Sequence, residues 1–412
     1  MYGERDIRID EAPEPVLKAQ TDAIVRVTAA CVCGSDLWSY RGITPVPSPR
    51  HMGHEFVGII EQVGSEVATV KVGDFVIAPF YYCDNTCINC RNGVTTSCLN
   101  GGWWGADDRN GDVVDGAQGE RVRVPLADGT LVATPTVPVD ALVPSLLTLA
   151  DVMGTGHHAA VSAGVAPGST VAVVGDGAVG LCAVLASHRL GAARIVAMSR
   201  HADRQAIARE FGATDIVEER GDAGVARIKD LFHGIGPDFV LECVGTKESM
   251  DQAIRSVRPG GMVGYVGVPA GGPELPIRSL FNSNVGVNGG VAPVRGYIEE
   301  LLPEVLSGAL NPGRVFDFEL PLVEVAEAYA AMDERRATKV LLRPSTLRRH
   351  PFRLIEKMHN VGGWRSLGSN RSRSSFRGRE SLHGRQITEE EQRQDRGGQV
   401  SEGKARRQEG EG

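Results

Sequence analysis

From about residue 170 onward, short apolar runs of strand length alternate with segments of helical character. The predicted strands are 169–175, 193–199, 239–245 and 261–269, and the predicted helices are 178–190, 201–212 and a segment near 247–257. Strands that alternate with helices along a chain form a parallel sheet with helices packed on both faces. The pattern therefore predicts a doubly wound α/β domain.

The first 150 residues have a different pattern, in which short β-segments are separated by Gly and Pro. These segments are 23–30, 56–63, 74–80 and 120–126. Their spacing is typical of an antiparallel barrel or sandwich. Beyond the α/β region, helices are predicted at 295–308 and 322–332 and a last strand at 338–344. We therefore expect a β domain over 1–150 that is completed by 289–344, with the α/β domain over 151–288 between these two parts.

Residues 345–412 differ from the rest of the chain in composition. They are rich in Arg, Ser, Gly and Glu and carry 15 basic and 9 acidic residues, whereas the first 344 residues carry 29 and 42. Such a segment buries too little apolar surface to offset its ordering entropy, so a disordered basic tail is predicted. Its Arg/Ser stretch could contact RNA. A solvated extension is the simpler interpretation, because the acidic body offers no footprint for nucleic acid.

Hydropathy and cysteine usage indicate the class of protein. The chain has no run of eighteen apolar residues, and its acidic first segment has no apolar core, so we expect neither a membrane span nor a signal peptide. Six of the eight cysteines fall within the first hundred residues. In a large cytosolic protein such clustering more often indicates metal binding than disulfides. We therefore expect a soluble, cytoplasmic protein that binds metal.

A glycine-rich turn follows the first strand of the α/β region. Gly175, Gly177 and Gly180 form the pattern GxGxxG between that strand and the first helix. Here the glycines allow a pyrophosphate to approach the positive N-terminus of the helix. The turn therefore predicts a dinucleotide-binding site rather than an ordinary Gly-rich loop.

The end of the second α/β strand indicates which dinucleotide binds. A site for NAD places Asp or Glu there to hold the ribose diol, but this strand ends in Ser199 and Arg200, with Arg204 on the following turn. No carboxylate occupies the position in the sequence, and a hydroxyl with two guanidinium groups suits the 2′-phosphate of NADP. We therefore predict NADP in preference to NAD. The alternative is that Arg200 and Arg204 simply form a solvated helix start.

Two further groups of residues have side chains that bind metals. Cys87, Cys90 and Cys98 lie on one short polar loop, with either Asp84 or Cys83 available as a fourth ligand, which predicts a closed structural zinc site. Separately, the thiol, imidazole and carboxylate of Cys33, His54 and Asp151 suit a catalytic zinc with an open fourth position. Because these three are far apart in sequence, the residues alone only suggest this second grouping.

At this point a family resemblance is clear. The signature GHE-x2-G-x5-G-x2-V is present and consists of Gly53, His54, Glu55, Gly58, Gly64 and Val67. With the other motifs, the chain resembles the zinc-containing medium-chain alcohol dehydrogenases over nearly all of residues 1–344. The resemblance implies a GroES-like β-barrel catalytic domain, interrupted by a Rossmann domain, with the active site in the cleft between them.

The resemblance also assigns metal ligands by position. It implies that Cys33, His54 and Asp151 bind the catalytic zinc, and Asp151 resembles the variant found in secondary-alcohol enzymes, which often carry Ser-Arg at the NADP position. At the structural zinc, related sequences have Cys or Asp where Asp84 stands, so Asp84 is preferred to Cys83.

Further roles follow from the same resemblance. Ser35 matches the hydroxyl that passes the alcohol proton onward, Asp36 the carboxylate that orients the zinc histidine, and Glu55 an acid that can approach the metal. Trp38 stands where a histidine often ends the proton relay. The positions that match the lining of the nicotinamide site are Thr155, Val266 and Val268.

The expected function is reversible hydride transfer between an alcohol, preferably secondary, and NADP. The alternatives within the superfamily are an NAD-dependent polyol, amino-alcohol or formaldehyde dehydrogenase, and a zinc-free quinone reductase, which would lack both metal-ligand sets. An alternative of another class is a non-catalytic nucleotide- or RNA-binding protein. The segment 285–291 resembles a strand that pairs across a two-fold axis, which implies a homodimer or homotetramer.

Overall fold

The computed structural model describes residues 1–46, 49–269 and 275–344. The tail predicted to be disordered, 345–412, lies outside these residues. Within the described part, no helix is both long enough and apolar enough to cross a bilayer.

The N-terminal part of the chain is built mainly from short strands. They are β1 (Ala23–Cys31), β2 (Phe56–Val63), β3 (Phe75–Ala78), β4 (Tyr81–Tyr82), β5 (Gly102–Trp103), β6 (Ala106–Asp107), β7 (Val113–Val114), β8 (Arg121–Val124) and β9 (Val132–Ala133). The helices are α1 (Asp36–Tyr40), α2 (Ile88–Arg91), α3 (Ala127–Thr130), α4 (Val143–Thr148) and α5 (Val152–Ala163), with 3₁₀ turns at Thr95–Ser97 and Asp140–Leu142. The four strands expected from the sequence correspond to β1, β2, β3 and β8.

Strand β1 organises the larger sheet of this part. It pairs antiparallel with β2 along one side and with β8 at its start. Val25 and Val27 face the barrel core, whereas Ala29 and Cys31 face the core shared with the α/β region. A register shift between Val27 and Ala29 accompanies this change of face, because an irregularity in a strand breaks the two-residue alternation. The end of β1, and therefore Cys33, is directed towards the second domain.

The described residues of the α/β region form six strands and five helices. The strands are β10 (Thr170–Val174), β11 (Arg194–Met198), β12 (Asp215–Val217), β13 (Phe239–Glu242), β14 (Met262–Tyr265) and β15 (Gly286–Gly289). The helices are α6 (Ala178–Arg189), α7 (Ala202–Glu210), α8 (Gly221–Leu231), α9 (Lys247–Ser256) and α10 (Ile277–Ser283). The sheet is parallel throughout, in the order β12-β11-β10-β13-β14-β15. The strand order reverses between β10 and β13, and ligands bind doubly wound sheets at such a switch point.

The chain then returns to the first sheet. The last elements are α11 (Val294–Ser307), β16 (Phe318–Pro321), α12 (Val325–Asp333) and β17 (Val340–Arg343), with 3₁₀ turns at Pro312–Val315 and Leu322–Glu324. β17 pairs antiparallel with the end of β1 and parallel with β16. The predicted fold class, a GroES-like β domain with a Rossmann-type sheet, is confirmed. The boundaries near 150 and 288 stay predictions, because one apolar core includes residues from both parts.

Some elements carry too little pattern to be predicted. β12 has three residues, and α8 begins at a glycine and is rich in polar side chains. β4 to β7 have two residues each, which is too short for any periodicity. The ribbon of β4 and β5 is nevertheless important, because it connects the cysteine loop to the candidate active site.

Candidate active site and metal sites

Three side chains from distant parts of the chain meet where the two domains share their core. Cys33 follows β1, His54 precedes β2, and Asp151 is the residue before α5. The Oδ2 atom of Asp151 lies 3.6 Å from the Cys33 Sγ and 3.5 Å from the His54 Nε2. With bonds of about 2.0–2.3 Å, a tetrahedral zinc ion holds its ligand atoms about 3.3–3.8 Å apart. The residues present therefore fit a zinc ion bound by a thiolate, an imidazole and a carboxylate.

The charges in this cluster also suit a cation. Burial raises the pKa of the Cys33 thiol, although the charge of His54 opposes it. Burial alone would lower the pKa of His54, but Cys33 and Asp36 raise it well above its usual value. The pKa of Asp151 is lowered despite burial, because His54 bonds to it and attracts it electrostatically. The anionic groups thus stabilise positive charge at this point, which a divalent ion would supply.

The residues around these three hold them in place. Asp36 accepts a hydrogen bond from the backbone N–H of Cys33 at 3.0 Å, and its other oxygen lies 3.5 Å from the His54 Nδ1. The Ser35 hydroxyl donates to the Cys33 Sγ at 3.2 Å. Thr155, one turn into α5, donates to the Asp151 Oδ1 at 2.7 Å. The structure therefore brings Ser35, Asp36 and Thr155 to the cluster, with Thr155 bonded to an expected metal ligand.

Glu55 has a partner that sequence reasoning missed. Its Oε1 lies 2.7 Å from the Nζ of Lys339, which also donates to the backbone oxygen of Val32. The Oε2 of Glu55 is buried and has no hydrogen-bond partner among the described residues, and one carboxylate oxygen of Glu55 lies within 4.8 Å of the ligand atoms of the cluster. The only sequence signal for Lys339 was an isolated charge immediately before an apolar strand, 284 residues from Glu55.

The cysteine loop forms a second, separate cluster. One ligand atom from each of Asp84, Cys87, Cys90 and Cys98 lies within 4.8 Å of the others. The Sγ of Cys87 is 3.5 Å from that of Cys90 and 3.8 Å from that of Cys98. The Cys83 thiol instead points to the backbone oxygen of Gly129. This geometry favours Asp84 over Cys83 as the fourth ligand of a structural zinc.

Backbone amides donate hydrogen bonds to two of the thiols in this loop. The N–H groups of Leu99 and Asp84 donate to the thiols of Cys87 and Cys98, each at 3.3 Å. The Leu99 hydrogen bond is the main reason that the pKa of Cys87 falls to about 7. A thiol with a pKa near neutrality is readily present as the thiolate that binds metal.

The glycine turn has the geometry that a dinucleotide requires. Gly175 has a φ of +118°, a conformation that L side chains rarely adopt. A Cβ on Gly180 would lie 2.0 Å from the backbone oxygen of Gly175, so only glycine allows the helix to pack this close. A Cβ on Gly177, in contrast, would meet no atom within 4 Å. The space in front of Gly177 is therefore open to a ligand at the start of α6.

In the folded structure, a carboxylate does lie at the end of β11. It comes from Asp176 in the glycine turn, whose Oδ2 accepts a 2.7 Å hydrogen bond from the Ser199 hydroxyl and whose Oδ1 lies 3.3 Å from an Arg204 nitrogen. The inference that no carboxylate occupies this position holds for the sequence but is wrong in space. Arg200 is exposed, and Arg220, which the sequence analysis did not single out, donates to the backbone oxygen of Met198.

An aromatic wall leads away from the first cluster. The Phe80 ring lies edge-on to His54 at 6.4 Å and stacks on Trp103 at 5.8 Å, and Trp103 is 48% exposed. Of the two predicted nicotinamide-lining valines, Val266 is buried and Val268 is half exposed just after β14. The structure does not group either valine with the zinc-ligand cluster.

Comparison with known proteins agrees with this architecture. The family model for the alcohol dehydrogenase GroES-like domain matches residues 19–136, and that for the zinc-binding dehydrogenase domain matches 178–307. The chain therefore belongs to the zinc-containing medium-chain alcohol dehydrogenases, as the sequence motifs predicted.

Individual relatives match most of the chain. A probable zinc-binding alcohol dehydrogenase of Mycobacterium tuberculosis is 35% identical over 84% of this chain and 88% of its own length. Zinc-type alcohol dehydrogenase B of Aspergillus flavus is 31% identical over 82% and 78%. Among solved structures, the alcohol dehydrogenase of Thermus sp. ATN1 is 35% identical with a TM-score of 0.76, covering 83% of this chain and 98% of its own.

Proposed function

We propose that the protein catalyses reversible hydride transfer between a secondary alcohol and NADP. The observation that carries the proposal is the convergence of Cys33, His54 and Asp151 at the junction of the two domains, where Asp151 lies 3.5–3.6 Å from the other two ligand atoms and all three lie within 4.8 Å of one another. Cys33, His54 and Asp151 would hold a zinc ion, which would supply a Lewis acid for the oxygen of the alcohol or carbonyl. Asp84, Cys87, Cys90 and Cys98 would hold a second zinc with a structural role.

The chain's own residues then handle the proton. The Ser35 hydroxyl lies 3.2 Å from the Cys33 Sγ, and we assign it the transfer of the alcohol proton, because it can accept one proton while donating another. Trp38 offers no titrating group, so the proton leaves directly to water. Asp36 and Thr155 keep two of the metal ligands in their orientation, which lowers the cost of assembling the reacting geometry.

Glu55 belongs to the same mechanism as a buried counter-charge. Its free Oε2 is positioned to approach the cluster while Oε1 remains on Lys339. This supports the role expected for Glu55, an acid that can interact with the metal.

The preference for NADP rests on positive charge at the end of β11. Arg204 pairs with Asp176, and Arg220 donates to the backbone oxygen of Met198 and lies near Arg200. Glu218 also lies close by, because Gln205 donates both to it and to the backbone oxygen of Ser199. The open space at Gly177 suits the pyrophosphate, and Val266 and Val268 lie beyond β14, where they would line the nicotinamide site.

Further observations support the substrate class, the oligomeric state and the location that we propose. The carboxylate ligand Asp151 and the aromatic wall of Phe80 and Trp103 support a secondary alcohol with an apolar substituent. The strand β15 lies at the edge of its sheet, which supports pairing with a second copy in a homodimer or homotetramer. None of the eight cysteines, all of which lie among the described residues, forms a disulfide, which supports a cytoplasmic location.

The test is the absorbance of NADPH and NADH, followed with ketones and with aldehydes, before and after treatment with a zinc chelator. We expect chelator-sensitive oxidation of NADPH that is fastest with ketones. Faster oxidation of NADH with aldehydes or polyol-derived ketones would favour the NAD-dependent alternatives. Unchanged turnover by a zinc-free Cys33→Ala variant would rule out the proposed mechanism.

A further inference from the structure

The side chain of Asp176 occupies the place where a dinucleotide distinguishes its 2′-substituents. We propose that Asp176 is a specificity-determining residue that restrains the preference for NADP by engaging the groups that would bind the 2′-phosphate. This inference rests on the proposed function, since it concerns the dinucleotide of the same site. The second residue of the glycine turn would then help to discriminate between NADP and NAD, together with the residues at the end of β11.

Asp176 already contacts two of the groups that would hold the 2′-phosphate. Ser199 is fully buried, and its one hydroxyl proton is directed to Asp176 at 2.7 Å. A serine hydroxyl donates only one hydrogen bond, so Ser199 cannot donate to Asp176 and to a phosphate at the same time. Arg204, 13% exposed, also directs one nitrogen to the same carboxylate, which is 17% exposed. Two of the three groups predicted to hold the 2′-phosphate are therefore already engaged.

NAD and NADP differ in the group that they present at the 2′ position of the ribose. The ribose of NAD presents a 2′-hydroxyl, which can donate a hydrogen bond to a carboxylate. The 2′-phosphate of NADP has no such donor when ionised, and it carries negative charge that the Asp176 carboxylate repels. Asp176 therefore favours NAD, whereas Arg200, Arg204 and Arg220 favour NADP. The balance of these opposed charges sets the ratio of the two affinities.

The inference is tested by binding, without turnover. The probes are 2′,5′-ADP and 5′-AMP, the adenosine halves of NADP and NAD, and their dissociation constants are measured by calorimetry. We expect Asp176→Ala to bind 2′,5′-ADP about tenfold more tightly than the wild type, because Ser199 and Arg204 are released and a repulsive charge is removed. The same variant should bind 5′-AMP equally or more weakly. Asp176→Asn, which removes the charge but keeps an acceptor for Ser199, should show a smaller gain of the same sign.

Asp203→Ala is the matched control. Asp203 is an exposed carboxylate in the first turn of α7, adjacent to Arg204 in sequence, and it has no hydrogen-bond or ion-pair partner among the described residues. Its removal changes the net charge by the same amount, so a gain confined to the Asp176 variants excludes a general electrostatic effect. Binding of 2′,5′-ADP that is unchanged or weaker in both Asp176 variants would overturn the inference, as would equal gains with Asp203→Ala.

The outcome is separable from that of the proposed function. A wild-type protein that binds NADH more tightly than NADPH would contradict the NADP preference, yet Asp176→Ala could still shift the ratio. If neither fragment binds to any variant, both proposals fail. As a second readout, the wild type and Asp176→Ala are compared through the fluorescence of bound NADPH and NADH, where only the NADPH affinity should rise.

Discussion

Lys339 and Glu55 form an ion pair with 2.7 Å between Nζ and Oε1, although their side chains are only 1% and 0% exposed. The pair joins the residue before β17 to the residue before β2, so two distant strands of the barrel meet at the metal-ligand cluster. Burial raises the pKa of Glu55, whereas Lys339 lowers it. The lysine therefore opposes the protonation that the burial of Glu55 favours.

Replacement of Lys339 by Met should destabilise the protein strongly. It would leave Glu55 buried without a counter-charge, and breaking one side of a buried pair costs about 3–5 kcal/mol. The double variant Lys339→Met with Glu55→Gln should recover part of this loss. The measurement is the free energy of unfolding from urea titration. As a control, Arg336→Met breaks an exposed pair with Glu327 and should have a much smaller effect. Equal losses in the two single variants would contradict the argument.

Loss of Cys98 should remove one metal ion per chain. Cys98→Ala should lower the zinc content measured by mass spectrometry from two ions to one and reduce the melting temperature, because a structural zinc contributes directly to folding. Cys83→Ala is the matched control: Cys83 lies next to Asp84 and is buried, but its thiol points to Gly129. If Cys83→Ala also loses one zinc ion, the assignment of Asp84 as the ligand is wrong.

Two glycines of the same turn should respond differently to alanine. Gly180→Ala should lower the free energy of unfolding, because the new Cβ would lie 2.0 Å from a backbone oxygen that cannot move aside cheaply. Gly177→Ala should leave stability nearly unchanged, since a Cβ there meets no atom within 4 Å, but it should weaken dinucleotide binding by about tenfold or more by filling the open space. Denaturation and nucleotide titration of both variants separate these effects.

Trp103 should affect substrate choice rather than the chemistry itself. Trp103→Ala removes the outer face of the wall stacked on Phe80, so kcat/KM for an aryl ketone should fall about tenfold, in line with the loss of an aromatic contact and its buried area. The same variant assayed with acetone provides the control, since a molecule that small does not reach the wall. An equal fall with both ketones would indicate damage to the site as a whole.

His158 should make stability depend on mildly acidic pH. Burial, with a smaller contribution from the charge of His157, lowers its pKa to about 4, and its Nδ1 lies 2.9 Å from the Tyr297 hydroxyl. Between pH of about 6.5 and 4 the unfolded chain binds a proton that the folded chain does not, so stability falls as the pH decreases through this range. At about 1.4 kcal/mol per unit, the loss amounts to at most about 3.5 kcal/mol. Unfolding titrations from pH 4 to 7 should show a shallower slope in His158→Gln than in the wild type, and an unchanged slope would contradict this assignment.

The features of this molecule that could be predicted from the sequence are those formed by residues close together in the chain. The GxGxxG turn, the Cys87-x2-Cys90 spacing and the alternating strands each lie within a few residues, so the chain carries the pattern in continuous form. The family signature around His54 then related Cys33 and Asp151 to it as expected metal ligands. These features needed no knowledge of tertiary contacts.

The remaining features depend on residues brought together only by folding. Lys339 is separated from Glu55 by 284 residues, and neither side chain indicates the other in sequence. Asp176 lies within the recognised glycine motif, yet its direction towards Ser199 depends on the packing of β10 against β11. The choice between Asp84 and Cys83 depended on which way two adjacent side chains point, which no spacing rule decides.

The antiparallel pairing of β17 with β1 has a consequence for the order of assembly during synthesis. β1 is made more than 300 residues before the strand that covers its end. Until then Glu55 has no ammonium partner, and the sheet that surrounds it cannot close over a charged carboxylate without penalty. The six-stranded α/β sheet, encoded without interruption between them, can form first. The sheet around Glu55 can therefore close over a paired carboxylate only after nearly all of the described chain, including Lys339, has been made.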